Sequence, residues 1–151
     1  MKKLLLAALA AATLSVGAAA SAQDKASGTI TITVSKLRSA KGVVLADLFA
    51  SEKGFPDEPK KALRNVKVKI SGTTATAKFE GVPHGTYAIS LMHDENDDGE
   101  LESNWYGKPL EGVGTSNDAQ KKSSGMPKFA DATFRLDGPE LALKAEMAYY
   151  D

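Results

Sequence analysis

The chain has 151 residues, one domain's worth, and its 42% apolar and 25% charged residues are ordinary for a soluble globular protein. Basic and acidic residues balance at 19 each, so the electrostatic footprint of a nucleic-acid binder is missing. There is no cysteine, which excludes a disulfide framework and lipidation on an N-terminal cysteine.

The first segment, MKKLLLAALAAATLSVGAAASAQ, has two lysines, an alanine-rich apolar run and Ala20-Ser21-Ala22. That layout predicts a secretory signal peptide over 1–22, cleaved after Ala22. A membrane anchor is the alternative, and it would want about 20 strongly apolar residues. Losing Lys2 and Lys3 leaves 17 basic residues against 19 acidic, a net charge of −2. The mature chain, 23–151, is expected to be one domain with no transmembrane segment, located in a bacterial periplasm or in the medium.

Strand signals dominate the mature chain. Gly28 to Leu37 alternates strictly, with Ile30, Ile32 and Val34 on one face. Arg38 to Gly42 reads as a short hairpin turn into Val43 to Ala50, which is more apolar and so more central. Ser51 to Leu63 carries Gly54, Pro56 and Pro59 and reads as a surface connection. Val66, Val68 and Ile70 alternate with Lys67 and Lys69, the pattern of a charged edge strand. A weaker strand ends at Phe79. Tyr87, Ile89 and Leu91 mark the next. Ser103 to Lys128 shows no clean period and reads as a long loop, of the kind that is functional or disordered. ADATFRL (130–136) and the stretch with Leu141, Leu143, Ala145, Met147 and Tyr149 in step close the chain as two strands. About seven strands with short turns predict an all-β fold, a single antiparallel β-sandwich; a closed barrel is the runner-up. The expected core is Ile30, Ile32, Val34, Leu48, Val68, Phe79, Tyr87, Ile89, Leu91, Phe134, Leu143 and Met147.

One stretch carries chemistry. Asp94 to Glu102 holds six carboxylates in nine residues and no cation. Asp94, Asn96 and Asp98 take the first, third and fifth positions of a D-x-N-x-D-G pattern, with Gly99 at the sharp turn. Calcium takes six to eight oxygens, so alternate acidic residues on a tight loop suit it. Glu100 would offer its backbone carbonyl and Glu102 a side chain. The twelfth position is Trp105 rather than a bidentate Glu, so an oxygen must come from elsewhere, with Glu111 the best placed. The competing reading is a solvated turn, since Asp98-Gly99 is a strong turn pair. Two histidines, His84 and His93, and no cysteine make zinc a poor fit. Trp105 and Tyr106 come directly after the acidic stretch. They either present a binding surface or pack down to anchor the loop.

FEGVPHGTYAISL (79–91) resembles the phenylalanine, proline-glycine turn and tyrosine strand of transthyretin-like (prealbumin-like) sandwich domains. More closely, LRSAKGVVLADLF, VPHGTYAISLMHDENDDGELESN and GKPLEGVGTSN resemble, in order, a family of exported bacterial proteins known as domain of unknown function 2141. The resemblance covers most of Gly28 to Asn117. It implies a secreted β-sandwich and supplies no catalytic residues. No G-x-S-x-G elbow or dinucleotide fingerprint is present. The expected function is an exported, non-enzymatic binding or accessory module with a calcium-binding acidic loop, its partner being an unknown ligand or envelope component. The alternatives are a carbohydrate-active hydrolase using loop carboxylates and a purely structural envelope protein.

Overall fold

The structure is a computed structural model and describes residues 25–150. The expected signal peptide falls on residues outside that range. Among the described residues eight strands form two sheets: β1 (Ser27–Ser35), β2 (Val43–Phe49), β3 (Arg64–Lys69), β4 (Ala75–Pro83), β5 (Gly85–Asp94), β6 (Gly112–Thr115), β7 (Phe134–Leu136) and β8 (Glu140–Glu146). Short helical turns stand at Pro59–Lys61, Ser116–Lys121 and Phe129–Ala132. No helix among the described residues is long and apolar enough to cross a membrane.

The first sheet has the order β4-β1-β8 and the second β3-β2-β5-β6, with β7 also on β5. Every neighbouring pair is antiparallel except β1 and β8, which run parallel from Thr29↔Glu140 to Ser35↔Glu146. The inward faces meet as a β-sandwich. Ile30, Ile32 and Val34 of β1 join Val44, Ala46 and Leu48 of β2 and Ile89 of β5, all completely buried. Every residue of the expected core lies in this cluster; Val68, Phe134 and Leu143 are half-buried at its margin. The Tyr87 hydroxyl donates to the Pro83 carbonyl at 2.6 Å, closing the β4–β5 corner.

Four sequence expectations change. The strand count is eight, because β6 was hidden in the segment without a period. It is only Gly-Val-Gly-Thr, and its glycines are there for close packing: a Cβ on Gly112 would lie 2.6 Å from the Tyr149 ring and 2.7 Å from Met147. Arg38 to Gly42 is not a hairpin; β1 pairs with β4 and β8, β2 with β3 and β5. The connection crosses from one layer to the other, with Leu37 plugged into the core. The sandwich is not antiparallel throughout, because β8 returns alongside β1. Finally, Ala130 to Ala132 are helical and only Phe134–Leu136 is strand. The edge of β5 leaves room for no more, since β6 takes Ser90 to His93 and β7 pairs only with Gly85 to Tyr87.

Candidate functional site

The acidic excursion leaves the second sheet at Asp94 and returns at Glu111, and both carboxylates are buried. The oxygens of Asp94 accept the backbone N–H groups of Asp98 at 3.2 Å and Gly99 at 2.8 Å. Gly99 allows the turn with φ +79°. Glu111 accepts the N–H groups of Glu95 at 2.9 Å and Glu102 at 3.2 Å, stapling both limbs of the loop. The Asn96 amide donates to Asp98 at 2.9 Å and to Glu102 at 3.0 Å. The Glu100 N–H donates to Asp98 at 2.9 Å. Two cations arrive from outside: Arg38 reaches Glu95 at 2.7 Å, and Lys67 pairs with Asp97. The crowd of like charges is therefore tolerable because the fold aims donors at it. Hydrogen bonds link Asp94, Asn96, Asp98, Glu102 and Glu111 in series around the loop, while Asp97 points away to Lys67. Among the described residues no three His, Asp or Glu side chains converge as a metal cage.

A buried network anchors the base of the excursion. His93 is completely buried. The Lys41 carbonyl can only accept, so His93 Nε2 is the donor to it, at 2.8 Å. In the neutral ring Nδ1 then accepts the Tyr149 hydroxyl, at 2.7 Å. The Tyr149 oxygen accepts the Arg38 N–H at 3.1 Å, and the Arg38 guanidinium stacks 4.6 Å from the Tyr149 ring. Burial pushes the Tyr149 hydroxyl up from its ordinary value, the Arg38 N–H partly opposing it. His84 is exposed, within hydrogen-bond distance of the Gly138 carbonyl.

Beyond the acidic turn, Asn104 builds a tight second turn. Its side-chain oxygen accepts the N–H groups of Tyr106 at 3.3 Å and Lys108 at 2.8 Å. The turn carries Trp105, 93% exposed, and Tyr106, 61% exposed. The two rings stand at 85°, 5.0 Å apart, so they share no flat face. Packing them down to anchor the loop is not what the fold does.

The feature that sequence reasoning missed lies on the outward face of the second sheet. Register sets two rungs across four strands. One is polar: Asn65, Asp47, Ser90 and Thr115; the other is Lys67, Leu45, Met92 and Val113. These rungs floor an open trough of about 1340 Å³. One wall comes from Pro56, Asp57, Pro59 and Lys60 with Gln120 and 123–127; the other comes from 99–101, Ser103 and 106–109, including Glu100 and Tyr106. The far end of this sheet face is sealed by a small second core, in which Phe55 and Phe129 pack on Ala88, Ala119 and Ala132. Thr115 donates to Gln120 at 2.7 Å. Asp47 accepts the Asn65 amide at 2.6 Å. Burial raises the Asp47 carboxyl above its ordinary value, with the Asn65 amide opposing. Trp105 does not line the trough; Tyr106 does.

The second sheet is thus concave on its outward face, with a polar rung beside a more apolar one; small-molecule sites are concave and combine apolar surface with placed polar groups. The chain belongs to the DUF2141 family, described as uncharacterized protein conserved in bacteria, whose pattern matches residues 32–144. None of the curated proteins and none of the solved structures matches it.

Proposed function

We propose that the protein is an exported, non-enzymatic binding module that takes a small ligand in the trough. The observation that carries this reading is the trough itself: four strands supply two ordered rungs, and separate loops wall them. The acidic excursion forms one of those walls. In this reading calcium draws Asp94, Asn96, Asp98 and Glu102 together and so fixes that wall, with Glu100 and the Glu111 staple beside it. Support comes from the alternating oxygens on the Gly99 turn; an ionised carboxylate has about four lone-pair sites, so each keeps acceptors to spare. Tyr106 contacts ligand from the rim, and Trp105 beside it touches what approaches from outside.

The neutral apolar dye N-phenyl-1-naphthylamine tests the trough. Its emission should rise saturably with protein and lose that rise in Met92→Trp, which fills the floor. An unsaturable response, or one unchanged in the variant, counts against the reading.

Export rests on the lysine-led apolar run and Ala20-Ser21-Ala22. Protein recovered from the cell envelope or medium should have the intact mass of a chain beginning at Gln23. Met1 retained on a cytoplasmic product would remove export from the account. The transthyretin-like character of the sandwich rests on the Phe79 to Leu91 segment. An experimental structure that superposes on no prealbumin-like sandwich would remove that too.

A further inference from the structure

With the trough taken as the binding site, the reading on which the proposal here rests, its floor names the chemistry of the ligand. Of the eight side chains on the two floor rungs, two are charged, Asp47 and Lys67. Lys67 turns its ammonium to Asp97. Asp47 has no such partner: among the described residues no ion pair includes it, although Lys60 also lines the trough. Its one hydrogen bond there is the Asn65 amide on Oδ1. Ser90, its direct neighbour on β5, makes no side-chain hydrogen bond among the described residues, yet no fully buried side-chain polar atom there lacks a partner. The second Asp47 oxygen and the Ser90 hydroxyl are therefore left to the trough. A carboxylate taken partly out of water without a cation costs the fold free energy. Next to it, about 7 Å along the strands, run Leu45, Met92 and Val113.

The geometry points to a small organic cation as the ligand: a protonated amine seated between Asp47 and Ser90, its apolar body lying along Leu45, Met92 and Val113 under Tyr106. The ammonium supplies the countercharge that the floor lacks, through charge-assisted hydrogen bonds stronger than neutral ones. A neutral alcohol of the same length gains only the apolar contacts and one weaker hydrogen bond. An anion seated on the floor meets Asp47 and is repelled there, while Lys60 and Lys108 stand on the walls.

Calorimetric titration of the intact protein with n-hexylammonium, hexan-1-ol and hexanoate at matched salt tests this. The ammonium should bind at least about tenfold more tightly than the alcohol, the gain of one charge-assisted bond, and hexanoate should bind most weakly. Asp47→Asn is the decisive variant. It keeps an oxygen for the Asn65 amide and removes the uncompensated charge, so its melting temperature should be no lower than wild type, while the ammonium's advantage disappears. If ammonium and alcohol bind equally, or the preference survives in Asp47→Asn, the cation reading falls and the trough stands. If none of the three binds, both fall.

Discussion

Replacing Ile89 by alanine should lower stability by about 2–5 kcal/mol, the cost of a large-to-small change at a fully buried aliphatic site. Ile89 is completely buried. It sits opposite Leu48 in the central pair of the second sheet, facing the β1 side chains across the sandwich. Its N–H donates to the Ser116 hydroxyl at 2.9 Å, and that hydroxyl donates in turn to the Ala132 carbonyl at 2.6 Å. The backbone is thus held at the edge of β5 while the side chain is held by the core, and the site has little freedom to collapse. Ile89→Asp should do worse, because it buries a charge with no partner. Urea unfolding with an unchanged m-value measures the first. A loss below about 0.5 kcal/mol for Ile89→Ala would mean that this face of β5 is not the core.

Asp94→Ala should cost about 2–4 kcal/mol, since it strips a buried acceptor from the Asp98 and Gly99 N–H groups at the start of the excursion. Asp94→Asn keeps one acceptor oxygen and should lose less. The same residue decides the calcium question. With a dissociation constant of about 10⁻⁴–10⁻³ M, typical of extracellular sites, about 1 mM calcium adds less than about 1.5 kcal/mol. Thermal unfolding in excess chelator and then across a calcium titration reads that increment. Sodium chloride controls separate it from simple screening of the crowded carboxylates. Asp94→Ala and Asp98→Ala should abolish the calcium-dependent rise. Asp97→Ala, whose carboxylate faces Lys67 instead, should mostly keep it. A wild-type response no larger than the salt control removes calcium, and the loop then stands on its hydrogen bonds alone.

Alternation in β1, β3, β5 and β8 made the inward face readable, because a period of two states which side chains share a side. It does not state which strand lies next to which. That is why the β1–β2 connection read as a hairpin when it is a crossing between layers. β6 was unreadable for a different reason: two glycines in four residues carry no apolar period, and their value lies in letting Met147, Tyr149 and Leu91 approach. The acidic excursion was legible as a unit. Glu111, far along the chain from Asp94, was expected to supply an oxygen to calcium; in the fold its carboxylate accepts the N–H groups of Glu95 and Glu102. The trough was illegible because Leu45, Asp47, Ser90 and Met92 are the off-beat positions of strands read for their core face. Only the register of four strands turns them into rungs.

The central claim is that ligand lies on those rungs, and isotope-filtered NOE spectroscopy on the bound N-phenyl-1-naphthylamine complex tests it most directly. The account predicts contacts from the dye rings to the methyl groups of Leu45, Met92 and Val113 and to the Tyr106 ring. Contacts confined to Trp105, or to core side chains such as Ile32 and Leu48, would contradict it.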